Sequence, residues 1–176
     1  RCELLDRRGI LRVVLHRARA GSVALVTKVG QCVLVGLRPL PLDRADHALA
    51  AGGFDHLVIA SGIEKYRFLD DMPYPFKTNP QFKYWLPLTR HPHSWIIHTP
   101  GKKPSLVYYQ PDDYWHVPPS APEGDWVGHF DIHIIASPEE AAKFLPQGKS
   151  AILGEPDAAI GEFAPNNPAA VIHHLH

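Results

Sequence analysis

The amino-acid sequence predicts an α/β domain in which a mixed β-sheet is flanked by helices. Hydrophobic residues make up 45% of the 176 residues and charged residues 20%, which is ordinary usage for a folded globular domain. Short β-rich runs alternate with helix-like segments in the order strand, helix, strand, hairpin, strand, helix, strand. Helices interspersed between strands in this way favour a sheet with helices packed on its faces.

The first elements are a strand pair, a helix and a buried strand. Residues 22–37 are rich in β-branched residues and centred on a glycine, which predicts two short strands joined by a turn. A helix is predicted from Asp43, with Asp43 as its N-cap residue and Gly52 and Gly53 ending it. Residues 54–60 are predicted to form a mostly buried strand.

The remainder of the chain alternates irregular, Pro-rich segments with strands. The prolines of residues 61–92 exclude a long regular element there and predict a long loop rich in aromatic residues. Strand-like runs follow at 94–99, 105–110, 130–136 and 149–155. The first two flank the turn sequence PGKKP and predict a hairpin. A second helix is predicted to start with Ser137 as its cap and to end before Pro146, and a third begins at Pro168.

The zero net charge conceals two unlike parts. Residues 1–44 hold nine Lys and Arg against three Asp and Glu, whereas residues 45–176 hold nine against fifteen, so that charges of +6 and −6 cancel. All seventeen aromatic residues lie in the second part. We therefore divide the chain into an atypical basic segment, 1–44, and an acidic domain, 45–176. The absence of a strong global charge argues against nucleic acid and anionic membranes as partners.

The cysteine content predicts a cytoplasmic protein. Cys2 and Cys32 have no spacing typical of a disulfide framework or a zinc site, so a reducing compartment is the simplest interpretation. The apolar stretch 23–37 is interrupted by polar residues and glycine and is too broken to span a bilayer.

The Pro-rich loop carries an adjacent carboxylate pair, Asp70 and Asp71. Two carboxylates can bind a divalent cation or a substrate ammonium, but a solvated acidic turn is the ordinary alternative. The many aromatic residues that follow favour an ordered, functional loop. Their interleaving with Lys77 and Lys83 is also typical of a stacking surface for single-stranded nucleic acid, which the acidic balance of the domain opposes.

The twelve histidines do not form a metal-binding motif. His129 and His133 lie in a predicted strand, where their spacing of four places both on one face, and a solvated face is the simpler interpretation. His91 and His93 flank Pro92 without a further motif. A nucleophile motif and a phosphate-binding glycine loop are also missing from the sequence.

At the Pro-rich loop the sequence resembles a known family. Residues 68–87, FLDDMPYPFKTNPQFKYWLP, are similar to the N-terminal domain of bacterial Xaa-Pro dipeptidases, the prolidases related to organophosphorus acid anhydrolases. Further similar pieces lie at 54–62, 111–116 and 166–168, so the resemblance covers about residues 45–176. It implies the creatinase and prolidase N-terminal fold, a ribonuclease-H-like mixed sheet flanked by helices.

The resemblance implies that the parent protein is a homodimeric metallopeptidase acting on dipeptides with a C-terminal proline. In this family a separate catalytic domain of the pita-bread type holds two divalent metal ions, usually manganese. We find no pattern for its ligands in this chain. The expectation is therefore a domain that binds no cofactor itself, has the catalytic domain and a second protomer as partners, and is inactive alone. A stand-alone binding or dimerisation module is the alternative.

The resemblance also assigns candidate residues, all to the wall of the substrate pocket in the opposite protomer. Asp71 is the residue placed to meet the free amino end of the substrate, and Trp115 is the aromatic residue that reaches into the neighbouring pocket. Weaker candidates for the same wall are Asp70, Tyr74, Phe76 and His116. For each of them a purely structural role stays open. No catalytic residue and no metal ligand is expected in this chain.

Residues 1–44 depart from the family, which has a short helix where this chain has a basic, Val-rich segment. One hypothesis is that the segment is read from a shifted frame or an altered start. A genuine hairpin specific to this lineage is the other.

Overall fold

A computed structural model describes residues 40–111, 120–155 and 164–175, together with the backbone of two strands nearer the N-terminus. The chain divides into two compact units, Arg1–Leu40 and Pro41–His176. In the first unit, strand β1 (Ser22–Val26) pairs antiparallel with strand β2 (Cys32–Gly36), with Ala24 opposite Leu34.

The second unit is built on a five-stranded mixed sheet. Its strands are β3 (His56–Ala60), β4 (Trp95–His98), β5 (Ser105–Tyr109), β6 (Asp131–Ile135) and β7 (Ser150–Leu153), arranged in the order β6-β5-β4-β3-β7. Strand β4 is antiparallel to both of its neighbours, while β6 runs parallel to β5 and β7 parallel to β3. The prediction of a mixed α/β sheet is thereby confirmed.

Within the described ranges, three α-helices and two 3-10 helices accompany the sheet. They are α1 (Leu42–Gly52), α2 (Pro80–Trp85), α3 (Ala169–Leu175) and the 3-10 helices Val127–His129 and Pro138–Phe144. Among the described ranges, no helix is long and apolar enough to cross a membrane.

Several details differ from the sequence predictions. The cap position of α1 is Pro41 rather than Asp43, because helical geometry already begins at Leu42, and no side chain of the described residues caps the helix. Helix α2 interrupts the predicted loop: Asn79 accepts a hydrogen bond from the Gln81 amide, and Pro80 occupies the first turn. The prediction that His129 lies in a strand with His133 was wrong, because His129 belongs to a 3-10 helix ahead of β6.

The two faces of the sheet bury two apolar layers. Side chains alternate along each strand, so neighbouring residues face opposite sides. On one side a cluster that includes Val58, Trp95 and Val107 packs against the 3-10 helix Pro138–Phe144. On the other side the buried residues Leu57 and Ile96 lie on the face covered by α1, to which His98 is hydrogen-bonded. Helix α1 also packs closely against α3.

This topology gathers the connections at one edge of the sheet. Because β3 and β7 are parallel, the chain leaves both strands at the same edge, at Ala60 and Leu153. Strand β5 ends at this edge too, because it is antiparallel to β4, as β3 is. The carboxyl ends of parallel strands are the usual place for a binding crevice in open α/β sheets.

Candidate functional site

The candidate residues that the structure describes lie in the segment that leaves β3 at this edge. Residues 65–74 fold back on themselves as a small projecting unit, which we call the tip hairpin. Tyr66 and Pro73 form an antiparallel bridge, and the Tyr74 amide donates to the carbonyl of Lys65 at 2.7 Å. The Arg67 amide donates to the Met72 carbonyl at 3.2 Å. The hairpin is therefore held by its own backbone.

The turn of the tip hairpin displays apolar side chains to solvent. Phe68 and Leu69 are each 91% exposed, and Met72 is also exposed. Leu69 has a φ of 57°, a left-handed conformation that disfavours a branched side chain. Large exposed apolar groups on a locally strained turn are typical of a surface that a partner covers.

The structure separates the roles of the two aspartates. The Asp70 carboxylate accepts a hydrogen bond from the Met72 amide at 3.1 Å, and the Asp70 amide donates to the Arg67 carbonyl. Asp70 therefore shapes the turn. Asp71 is exposed and forms no hydrogen bond or ion pair with the rest of the described chain. Of the two carboxylates, Asp71 is thus the one available to a cationic ligand.

Tyr74 and Phe76 lie at the base of the same hairpin. Tyr74 is 55% exposed, and the Arg67 guanidinium lies 5.7 Å from the centre of its ring, within the range of a cation–π contact. Phe76 is half-buried and packs beside Gly62, where a Cβ atom would lie 3.3 Å from the Phe76 ring. Gly62 has a φ of 122°, so glycine is required there by the backbone as well as by the ring.

The remaining two predicted residues, Trp115 and His116, lie outside the described residues. The chain is described as far as Pro111, just beyond β5, and again from Ser120, whose carbonyl accepts a hydrogen bond from the Tyr108 hydroxyl at 2.9 Å. Asp70 and Asp71 therefore lie at the turn of one segment and Tyr74 and Phe76 at its base, and the structure does not test whether Trp115 and His116 lie near them.

Two histidines that precede β4 contact aromatic rings at the carboxyl end of β5, and the sequence did not predict these contacts. His91 lies 5.2 Å from the ring centre of Tyr108, and His93 lies 5.5 Å from that of Tyr109. Burial lowers the pKa of His91 below its ordinary value. His93 has a φ of 52°. The two histidines flank Pro92 in the sequence, but their aromatic partners are distant in sequence. These contacts therefore could not be predicted from the local pattern.

An acidic residue, Glu139, lies within electrostatic range of His93. The pKa of Glu139 is held below its ordinary value by its own backbone amide first, then by the Ser137 hydroxyl, with a smaller contribution from His93. Glu139 is in the first turn of a 3-10 helix, so the amide that stabilises its ionised form belongs to that turn.

The described residues do not fit a two-metal catalytic centre. Across these ranges, no three His, Cys, Asp or Glu side chains come close enough together to hold a metal ion. What the described residues at this edge offer instead is the free carboxylate of Asp71 with exposed apolar side chains and aromatic rings, which are groups suited to recognition.

Comparison with known proteins places the chain in a family. The family model for the Xaa-Pro dipeptidase N-terminal domain matches residues 41–176. The chain is 60% identical over 134 residues to an Xaa-Pro dipeptidase of Stenotrophomonas maltophilia strain K279a, and equally so to one of Xanthomonas campestris pv. campestris strain B100. An Xaa-Pro dipeptidase of Xanthomonas euvesicatoria pv. vesicatoria is 55% identical over the same length. Each alignment covers 75% of this chain, which spans 30% of the relative's length.

Proposed function

Because the chain belongs to the family of Xaa-Pro dipeptidase N-terminal domains, we propose that it forms the substrate-recognition and dimerisation part of an enzyme that hydrolyses dipeptides with a C-terminal proline. In this proposal the domain performs no chemistry itself. The identity of 60% to named dipeptidases supports the activity of the whole protein. The low cysteine content supports a cytoplasmic location, which is part of the same proposal.

The tip hairpin is the observation that carries the proposed role. Its apolar turn is 91% exposed at both Phe68 and Leu69, and it stands on a backbone that is hydrogen-bonded within itself. A preformed projection of this kind can enter a neighbouring protein without paying the cost of ordering a loop. We propose that it enters the active-site region of a second protomer in a homodimer.

Within that arrangement each candidate residue has a chemical role. Asp71 would bind the ammonium group of the dipeptide through a charge-assisted hydrogen bond. Asp70 would hold the turn in shape, and Tyr74 and Phe76 would form an aromatic wall. We assign Trp115 and His116 to the same wall on the strength of the family resemblance. Two divalent metal ions, which we propose to be manganese, would be held by the catalytic domain and polarise the scissile bond there.

The first test is the activity of the 176-residue chain by itself. We expect no hydrolysis of an Xaa-Pro dipeptide such as Ala-Pro in the presence of manganese, because the described residues form no metal site. Turnover above that of a blank containing manganese alone would contradict the non-catalytic role.

The second test is a chimaera in which residues 41–176 replace the matching segment of the Stenotrophomonas maltophilia dipeptidase. We expect the chimaera to be dimeric and to hydrolyse Ala-Pro. Asp71→Asn in it should lower kcat/KM by about tenfold to a hundredfold, the range of a lost hydrogen bond between charged groups. Acetylation of the substrate's amino group should remove the difference between the chimaera and its Asp71→Asn variant.

The matched control is Asp43→Asn, which removes an exposed carboxylate on α1. It should leave kcat/KM unchanged. An active chimaera in which Asp71→Asn has no effect would overturn the role of Asp71. A folded, dimeric chimaera without activity would overturn the dipeptidase role and favour a stand-alone binding or dimerisation module.

A further inference from the structure

Strand β6 is the last strand at one edge of the sheet, so within the described ranges one of its sides has no neighbouring strand. The Asp131 amide donates to the Pro104 carbonyl at 2.9 Å, and the Ile135 carbonyl accepts a hydrogen bond from the residue that follows β5. In a parallel pair, alternate residues of a strand bond to the same neighbour. The backbone amides and carbonyls of Ile132 and Ile134 therefore point away from β5, toward the free side.

The free side of β6 is apolar and almost uncharged. Ile134 is 56% exposed, although Tyr108 beside it on β5 is buried, and Ile132 lies on the same face of the sheet. The one charged residue of the strand is Asp131, whose carboxylate lies 3.0 Å from Nζ of Lys103. Natural proteins usually protect an edge strand with charged side chains, proline, a bulge or a covering segment. An edge without these features is suited to pairing with another strand.

The opposite edge of the same sheet does have such protection. On β7, the Asn166 side chain accepts a hydrogen bond from the Ile152 amide, and the Asn167 side chain accepts one from the Gly154 amide. No side chain in the described part of the chain binds the outward backbone groups of β6 in this way. The two edges therefore differ, and the contrast favours β6 as the edge that receives a partner.

The residue pattern of β6 is complementary to a second copy of itself. A twofold axis through His133, perpendicular to the sheet, would make the two edge strands antiparallel and place Ile132 opposite Ile134 of the second copy. Both residues carry their backbone groups on the free side, so each of the two resulting pairs would exchange two main-chain hydrogen bonds. The isoleucines of the two copies would form one apolar row, and cross-strand pairs of β-branched residues stabilise such a contact.

The charges at the two ends of β6 are also complementary. The turn that precedes β5 lies at the start of β6 and carries Lys102 and Lys103, of which only Lys103 is paired, with Asp131. Beyond the end of β6, the next 3-10 helix begins with Glu139 and Glu140 and has one lysine in its last turn. Each end therefore has one charge in excess, positive at the start and negative at the end. Antiparallel pairing brings the start of one strand to the end of the other.

We propose that the free side of β6 is an interface at which two copies of this chain pair edge to edge and join their sheets into one. The occupant is a second copy because both the residue pattern and the end charges are self-complementary. The proposed function places the tip hairpin in a second protomer and assigns no partner to β6, so this interface goes beyond it and requires no catalytic domain. The contact involves short strands, and we expect a weak dimer with a dissociation constant on the order of 100 μM.

The test is amide hydrogen exchange of the 15N-labelled 176-residue chain at about 20 μM and about 1 mM protein. The amides of Ile132 and Ile134 should exchange about fourfold more slowly at the higher concentration, the ratio that mass action gives for such a dissociation constant. The His133 amide, which faces β5, should show no dependence on concentration. Sedimentation equilibrium on the same samples measures the dissociation constant directly.

Three variants locate the interface. Ile134→Lys places a charge in the apolar row of both copies and should raise the dissociation constant at least about tenfold. Tyr84→Lys is the matched control, because it replaces another exposed apolar side chain, on α2, by the same residue and should have no effect. Leu69→Lys alters the tip hairpin and should also leave association unchanged, because the hairpin is proposed to bind a catalytic domain rather than a sheet edge.

The results can contradict the proposal in several ways. Exchange of Ile132 and Ile134 that is fast at both concentrations would overturn it, and so would protection that is equal at both, since the edge would then be covered within one chain. Equal weakening by Tyr84→Lys and Ile134→Lys would also overturn it. Dissociation by Leu69→Lys alone would assign the contact to the tip hairpin instead. Because no turnover is measured, failure of the β6 interface leaves the dipeptidase role unaffected, and failure of that role leaves this interface unaffected.

Discussion

The Nε2 atom of His98 on β4 lies 2.6 Å from the Oδ1 atom of Asp46 on α1, and this hydrogen bond joins the sheet to the helix that covers it. The His98 side chain is almost fully buried, and its ring lies 5.5 Å from that of Trp85. Its second nitrogen, Nδ1, is buried and has no hydrogen-bond partner among the described residues. The contact with Asp46 is therefore the hydrogen bond that compensates for burying this imidazole.

We expect Asp46→Ala to lower the free energy of unfolding by about 1–3 kcal/mol, the cost of leaving a buried polar group unsatisfied. Urea denaturation followed by tryptophan fluorescence would measure the loss. Asp43→Ala, which removes an exposed carboxylate from the same helix, should have a clearly smaller effect. Equal losses of unfolding free energy in the two variants would show that the loss comes from removing a negative charge near the helix N-terminus and not from the hydrogen bond to His98.

The strands of the domain could be predicted from the sequence because each strand depends on the pattern of residues within its own short segment. Each of the five segments predicted as strands of the main sheet contains one observed strand, and all of these except β6 have two or more consecutive buried residues. The order of the strands in the sheet could not be read from such local patterns. The role of Asp46 was hidden for the same reason, because its partner His98 lies 52 residues away.

Gly52 lies where α1 packs tightly against α3. A Cβ atom at this position would lie 2.8 Å from Cγ2 of Val171 and 3.0 Å from the Phe54 ring. Replacing glycine by alanine within a helix normally stabilises it by about 1 kcal/mol. Here we expect Gly52→Ala to destabilise the domain by about 1–3 kcal/mol, because the two helices must move apart. Thermal unfolding followed by circular dichroism would measure the change.

Two further variants identify the cause. A Cβ atom added at Gly128 would have nothing within 4 Å, and φ is not positive there, so Gly128→Ala should be nearly neutral. Adding Val171→Ala to Gly52→Ala should cost less than the sum of the single changes, because it removes the methyl group that clashes. Strict additivity of the two substitutions would contradict this explanation.

Strand β7 is the last strand of the sheet, and two asparagine side chains form hydrogen bonds with the backbone along its unpaired side. Asn166 accepts a hydrogen bond from the Ile152 amide at 2.8 Å and donates to the Ser150 carbonyl at 2.9 Å. Asn167 makes the same pair of contacts with the backbone of Gly154, at 3.0 Å each. These side chains occupy backbone groups that would otherwise be open to another strand.

We expect Asn166→Ala to lower the free energy of unfolding by about 1–2 kcal/mol and to increase aggregation on heating. Asn166→Asp should be destabilising too, because the carboxylate keeps the bond from Ile152 but faces the Ser150 carbonyl without a proton to donate. Light scattering during a temperature ramp would report the aggregation. Gln147→Ala removes an exposed amide side chain and is the control; an equal rise in scattering for it would refute edge protection.

Only those parts of the candidate site whose residues are adjacent in the chain could be predicted from the sequence. Asp70 and Asp71 were recognised as one carboxylate pair, but their different roles depend on the turn that binds Asp70 to the Met72 amide. A cleft at the carboxyl ends of β3 and β7 was not predicted, since its lining joins residues after β3 to residues after β7 and on α3. Helix α2 could have been found, because Asn79 followed by Pro80 is a helix-start pattern.

Burial of His91 makes the stability of the domain depend on pH. Its pKa in the folded protein lies below the ordinary value of 6.5, because burial disfavours the charged imidazole. Below that pH the unfolded chain takes up a proton that the folded domain resists, so stability falls as the pH is lowered. His91→Gln removes this group, and we expect the variant to lose less stability than the wild type between about pH 7.5 and pH 5.

The measurement is the urea midpoint at several pH values, and the quantity compared is the slope of that midpoint against pH in each variant. His129→Gln is the control, since His129 is exposed and its replacement should leave the wild-type slope unchanged. Parallel pH profiles for the wild type and His91→Gln would contradict the argument. A shallower profile for His91→Gln alone would show that the fold keeps this imidazole neutral, because burial beside the Tyr108 ring withdraws it from the water that would stabilise its charged form.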